Sequence, residues 1–312
     1  MATATRAASL VSIRDLSRAE MERVLEVAAE MGHARSDELH GKQVALLFYE
    51  PSTRTRNSFL TAVHQMGGTV CGFDNTEGTS VQKGETLHDT IKMFEAYSDA
   101  IVLRHPRDGA ARWAADLSGV PLINAGDGKN QHPTQTLLDL FSMRATQGRL
   151  DNLHVALTGD LKYGRTVHSL ADALAEFRGN VLHLVAPPTL EFPAQHAAEL
   201  RARGMEIHQH RRLEDIAREV DVLYVTRIQR ERLPDETEYE KVRGSYRLTA
   251  ATLEGAKDNM RVLHPLPRVD EIAADVDATK HAYYFEQARN GIPVRKALLR
   301  LLMLTDELAG EK

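Results

Sequence analysis

The chain has 312 residues, 42% hydrophobic and 27% charged, with a formal net charge of −5. That length holds two domains more comfortably than one, and the mild acidity gives no overall basic field for nucleic acid or an anionic membrane. Cys71 is the only cysteine, which excludes an internal disulfide and a cysteine-cluster zinc site.

The first eight residues, Met1 to Ala8, lack an extended apolar core, and no apolar run is long enough to span a bilayer. A cytoplasmic protein is the expectation. Ser17 opens the first clear helix with Glu20 three residues on, a capping box, and Met21, Val24, Leu25 and Ala28 form its apolar face. Apolar strands follow at 43–48, 69–73, 100–104 and 120–124, with helical patterns between them. One helix, from about 85 to 97, buries Leu87, Ile91 and Phe94; another passes through Leu137, Leu138, Leu140, Phe141 and Met143 and ends at Gly148. A second series begins at Asp151, with strands at 154–159, 181–186, 205–208, 222–226 and 261–264, again separated by helices. A last helix runs from about Val294 to Leu308. Repeated strand–helix units imply parallel sheets covered on both faces, so the predicted fold is α/β, two doubly wound domains with a cleft between them.

Chemistry concentrates where strands end. Pro51-Ser52-Thr53-Arg54-Thr55-Arg56 follows the apolar run 44–49, with Glu50 between, and opens a helical pattern with Phe59, Val63 and Met66 on one face. Hydroxyls and backbone N–H groups at a helix start favour an anion, and guanidiniums add planar, two-pronged donors. The same residues also read as an ordinary capped helix start. Arg104-His105 and Thr226-Arg227 likewise sit just past strand ends, where open α/β sheets bind ligands. His208-Gln209-His210 alternates along a strand and reads as plain surface rather than a metal pair, with no carboxylate partner adjoining.

Further segments share this order: Thr79-Ser80-Val81-Gln82-Lys83-Gly84-Glu85-Thr86, Arg104-His105-Pro106, His132-Pro133-Thr134-Gln135, Leu161-Lys162-Tyr163-Gly164-Arg165-Thr166, Thr226-Arg227-Ile228-Gln229 and His264-Pro265-Leu266-Pro267-Arg268. With Ser52–Arg56, they resemble the aspartate/ornithine transcarbamoylase family, from about residue 10 to about residue 305. The last three resemble the aspartate branch.

The resemblance implies carbamoyl transfer from carbamoyl phosphate to the amine of L-aspartate, on the route to pyrimidines, without cofactor or metal. It implies that Ser52, Thr53, Arg54 and Thr55 bind phosphate, and that Arg104 reaches phosphate and carbonyl oxygen. His132 and Thr55 would donate to that oxygen, while Gln135 and the carbonyls of Pro265 and Leu266 hold the carbamoyl NH₂. Arg165 would clamp the α-carboxylate of aspartate, and Arg227 and Gln229 its side-chain carboxylate. Glu50 and Arg232 would orient Arg165. Ser80 and Lys83 would reach the neighbouring subunit's site, so a homotrimer is implied, with regulatory or dihydroorotase-like chains as further partners. The implied division is residues 1–148 with 292–312 for carbamoyl phosphate and 149–291 for aspartate.

Two rivals share some of these residues. Ornithine transcarbamoylases carry a Cys where Pro265 stands and need an acidic residue in place of a second carboxylate clamp. Residues 159–166 nearly match a nucleotide-binding loop, but Arg165 replaces its Lys and Asp160 would face the phosphates. A non-enzymatic scaffold has no support, because every motif residue is present.

Overall fold

The computed structural model describes residues 8–228, 246–305 and 307–308. Two compact units emerge, one of residues 1–137 and 290–312, the other of residues 138–289. Each is a parallel sheet flanked by helices.

The first unit is built on β1 (Gln43–Phe48), β2 (Thr69–Phe73), β3 (Ala100–His105) and β4 (Leu122–Asp127), ordered β2-β1-β3-β4 and paired in parallel. Val44 to Phe48 are all buried, as a strand covered on both faces requires. β4 starts two residues later than the sequence suggests, just after Pro121, which has no N–H to give a ladder.

Around this sheet lie α1 (Arg18–Met31), α2 (Thr53–Gln65), α3 (Leu87–Tyr97) and α4 (Ala110–Leu117). The Ser17–Glu20 capping box forms as expected. On α3, Ile91 is buried while Leu87 and Phe94 are only partly so. α5 (Pro133–Gln147) ends at Gly148, whose φ of +71° suits glycine.

The second unit orders its strands β7-β6-β5-β8-β9, again all parallel: β5 (His154–Thr158), β6 (Val181–Val185), β7 (Glu206–His210), β8 (Val222–Val225) and β9 (Arg261–Leu263). Its helices include α6 (Arg165–Leu174), α7 (Ala194–Ala202) and α8 (Tyr284–Arg289). The expected helix between β7 and β8 is instead a run of turns over 213–219. Leu213, Ile216, Ala217 and Val220 are buried at helical spacing, but the backbone bonds mix three- and four-residue steps, so no regular helix propagates.

The last helix, α9 (Gly291–Met303), belongs to the first unit and packs on α1 and α2. It begins three residues before Val294 and stops five before Leu308. Pro293 sits in its first turn, where a missing N–H costs nothing. No helix among the described residues is long and apolar enough to cross a membrane.

Candidate active site

In the first unit, parallel pairing sets Phe48 of β1 opposite Arg104 of β3, and the Tyr49 N–H donates to the Arg104 carbonyl at 2.9 Å. The chain leaving β1 therefore passes beside Arg104 before α2 begins. Ser52 occupies the N-cap of α2, yet its hydroxyl makes no capping bond, which leaves that oxygen to serve another partner. Thr55 is buried in the first turn. Arg104 Nε lies 3.6 Å from Glu50 Oε2, and its Nη1 donates to the Ala125 carbonyl at 3.4 Å.

Burial holds the Arg104 guanidinium below its ordinary pKa; Glu50 pulls it back up, and the charge of Arg54 pushes it down again. Burial lowers Arg54 as well. Two cations thus repel at a helix N-terminus whose dipole adds to the positive potential. An oxyanion would relieve all three at once.

His132 is buried immediately before α5, with Nδ1 3.5 Å from the Thr134 hydroxyl, and Gln135 lies half-buried one turn on. The anchor for this loop is Asp127, which sequence reading missed. Its fully buried carboxylate accepts from Asn124 Nδ2 (2.9 Å), the Gln131 N–H (3.1 Å), the Gly109 N–H (2.9 Å) and Asn130 Nδ2 (3.0 Å). The available signal was an acid at the end of a buried strand whose other polar side chain is Asn124, where a charge survives only with such partners.

Ser80 and Lys83 lie on an exposed 3₁₀ turn, Ser80–Lys83. Among the described residues, neither side chain bonds to Ser52, Thr53, Arg54, Thr55 or Arg104.

In the second unit, Arg165 and Arg227 follow the neighbouring strands β5 and β8. Gly159, at φ +109°, makes this closeness possible: a Cβ there would stand 2.2 Å from the Thr226 carbonyl oxygen. The Thr226 N–H and hydroxyl both donate to the Thr158 carbonyl, at 2.8 and 3.0 Å. Asp160, 1% exposed, accepts from the Tyr163 N–H at 2.9 Å, so its own carboxylate already takes a backbone donor of the 159–166 loop. That is the reverse of a phosphate cradle, in which such donors face the ligand. Gln229 and Arg232 lie outside the described residues.

Leu266 adopts φ 56°, unusual for a branched side chain. Its N–H donates to His264 Nδ1 at 2.8 Å, and His264 Nε2 is 2.7 Å from Glu271 Oε1. Burial is the largest influence on the Glu271 carboxyl and raises it, but His264 and the backbone N–H groups of Val269 and Glu271 together outweigh it, and the pKa ends below the ordinary value. Tyr224 is raised well above the usual phenol, by burial first and then by the Asp139 charge.

The histidine segment on β7 is surface at His208, which is exposed, but His210 is half-buried. Glu206 Oε1 lies 2.6 Å from His208 Nε2, so a carboxylate does adjoin it. A row of imidazoles crosses three strands, with His154 Nδ1 3.1 Å from His183 Nε2 and His183 Nδ1 3.1 Å from His210 Nε2. In-register pairing of β5, β6 and β7 puts these positions on one face, which a single-strand reading cannot reveal. Among the described residues, no group of three or more His, Cys, Asp or Glu is arranged to hold a metal.

Comparison with known proteins adds a second line of information. The family model for the aspartate/ornithine carbamoyltransferase carbamoyl-P binding domain matches residues 8–145, and that for the Asp/Orn binding domain matches 151–302. The chain is 57% identical over 295 residues to the aspartate carbamoyltransferase catalytic subunit of Chromobacterium violaceum, covering 94% of this chain and 97% of that one. The catalytic subunit of M. jannaschii aspartate transcarbamoylase superposes with a TM-score of 0.91 at 47% identity, covering 97% of this chain and all of the other. The Trypanosoma cruzi aspartate transcarbamoylase in complex with carbamoyl phosphate and aspartate gives 0.88 at 37% identity, covering 95% and 96%.

Proposed function

The chain belongs to the aspartate/ornithine carbamoyltransferase family, and from that premise we infer that it moves the carbamoyl group of carbamoyl phosphate onto the amine of L-aspartate. The products are N-carbamoyl-L-aspartate and phosphate, and the reaction belongs to pyrimidine biosynthesis. The observation that carries the donor side is the placing of Arg104 of β3 beside the chain that leaves β1 for α2, where the Ser52 hydroxyl makes no capping bond, with Glu50 as the carboxylate paired to Arg104.

The chemistry assigns a task to each group. The aspartate amine attacks the carbonyl carbon, forming a C–N bond and a tetrahedral intermediate with negative charge on the former carbonyl oxygen. Arg104, His132 and Thr55 stabilise that oxyanion, the role in which fixed donors contribute most. The bond from carbon to the phosphate oxygen then breaks, and an amine proton leaves with the departing phosphate. Ser52, Thr53, Arg54 and Thr55 bind that phosphate. Gln135 and the carbonyls of Pro265 and Leu266 accept from the carbamoyl NH₂.

Arg165 and Arg227 read the two carboxylates of aspartate, with Gln229 assisting Arg227. Support comes from the closeness of the β5 and β8 strand ends that carry these arginines. Glu50 and Arg232 are assigned to orienting Arg165. An ornithine acceptor would present an amine to Arg227, a like-charge contact that costs rather than gains.

We assign residues 1–148 with 292–312 to carbamoyl phosphate and 149–291 to aspartate. We also propose a homotrimer in which Ser80 and Lys83 serve a neighbour's site, which fits their exposure. A cytoplasmic location fits a chain whose one cysteine forms no internal disulfide.

Arg227→Ala tests the acceptor assignment. KM for aspartate should rise at least ~10²-fold, since the loss leaves a substrate carboxylate unpaired, while KM for carbamoyl phosphate stays within about threefold. An unchanged aspartate KM in the folded variant would overturn it.

A further inference from the structure

A buried polar chain in the second unit ends on the segment to which the carbamoyl NH₂ was assigned. Asp139, on α5, is fully buried. Its Oδ1 accepts from Gln287 Nε2 at 2.6 Å and its Oδ2 from the Tyr224 hydroxyl at 2.9 Å. Gln287, on α8, is also fully buried, and its Oε1 accepts from the His264 N–H at 2.7 Å. His264, 1% exposed, accepts the Leu266 N–H at Nδ1. The Tyr224 hydroxyl is bonded in addition to Thr166, next to Arg165.

A backbone donor fixes how this chain is arranged. The His264 N–H can only donate, so it meets the Gln287 amide oxygen. That fixes the Gln287 amide with NH₂ toward Asp139 and oxygen toward His264; a flipped amide would set donor against donor. With Nδ1 accepting, the His264 ring hydrogen sits on Nε2 and is donated to Glu271. Nothing along the path can turn without stranding a buried polar group, which is costly. What the path holds is a leucine at positive φ, a conformation that relaxes unless its surroundings impose it.

We propose that Asp139, acting through Gln287 and His264, is a positioning residue that fixes the Pro265 and Leu266 carbonyls for the carbamoyl NH₂. The assignment rests on the reaction proposed above and adds a source of donor specificity to it. Carbonyl acceptors held in place favour a ligand that brings N–H groups. They give nothing to the analogue that carries a methyl there, because a site built to hydrogen-bond rejects the ligand that cannot.

Acetyl phosphate is that analogue, keeping the phosphate and the carbonyl while replacing NH₂ with CH₃. The test compares KM for carbamoyl phosphate with the inhibition constant of acetyl phosphate, in the wild-type enzyme and in Gln287→Leu. The variant should raise the first at least tenfold and leave the second within twofold. Asp139→Asn, nearly isosteric, should show the same split in smaller measure and serves if Gln287→Leu does not fold. A residue of merely structural importance would move both constants together or neither, and either result in a folded variant overturns the proposal. Wild-type enzyme unable to tell the two phosphates apart also overturns it. Wild-type enzyme without carbamoyl transfer would instead defeat the proposed function itself.

Discussion

His183 sits in the middle of an imidazole row that neutral rings satisfy, since each contact needs one donor and one acceptor. Burial first, then the charges of His210, His154 and His208, push its pKa down to about 4, against a partial pull upward from Glu206. His210 is lowered too, by burial and then His208, with Asp215 and Glu219 opposing. A base whose pKa falls on folding binds its proton better when unfolded, so the row stabilises the fold above pH 6.5. That stability is lost as pH drops from 6.5 toward 4. Between pH 7.5 and 5.0 the loss attributable to His183 is about 2 kcal/mol. Urea unfolding at the two pH values should show it, and His183→Asn should flatten the difference; an equal pH response in the variant would refute the linkage. At this scale the sequence was legible where a motif is local. Ser52–Arg56 could be read because five adjacent residues carry the message. Asp127, Asp139 and the imidazole row could not, because their meaning lies in partners brought in by strand pairing and helix packing.

Helix α9 shows what decides an element's place. Periodicity marks a helix near its position, but only packing attaches it to α1 and α2. The attachment is partly polar. Lys296, 1% exposed, donates to the carbonyls of Met31, Gly32 and Ala34, at 3.5 Å for Met31 and 3.3 Å for Gly32. These carbonyls end α1, where a cation complements the helix dipole. Arg300 adds ion pairs to Glu38 and Glu30. Lys296→Met keeps the stem and deletes a charged donor, whose hydrogen bonds contribute about 2 kcal/mol. The denaturation midpoint should fall accordingly, and amides of α9 should exchange faster; a midpoint equal to wild type would remove Lys296 from this role. Most strands were legible to within a residue or two, because buried parallel strands are continuous apolar runs. The 213–219 turns were not, since their apolar spacing is helical while their backbone is not.

For the whole molecule, the two-sheet α/β plan followed from the strand–helix alternation, whereas shared sites rest on resemblance. Lys83→Ala and Arg54→Ala assemblies should each be nearly inactive, the second by at least ~10²-fold, as loss of a charge-stabilising donor implies. Mixing, denaturing and refolding the two in equal amounts should restore about a quarter of wild-type activity, because closed cyclic symmetry makes every interface equivalent. A mixture as inactive as its parents despite proper trimers would place Lys83 in its own chain's site. The claim on which everything else depends is the choice of acceptor. It is tested most directly by giving the wild-type enzyme carbamoyl phosphate labelled in its carbonyl carbon, with equimolar L-aspartate and L-ornithine in one vessel. The account predicts label in N-carbamoyl-L-aspartate, released phosphate in equal amount and essentially none in citrulline; label accumulating in citrulline, or in neither product, would contradict it.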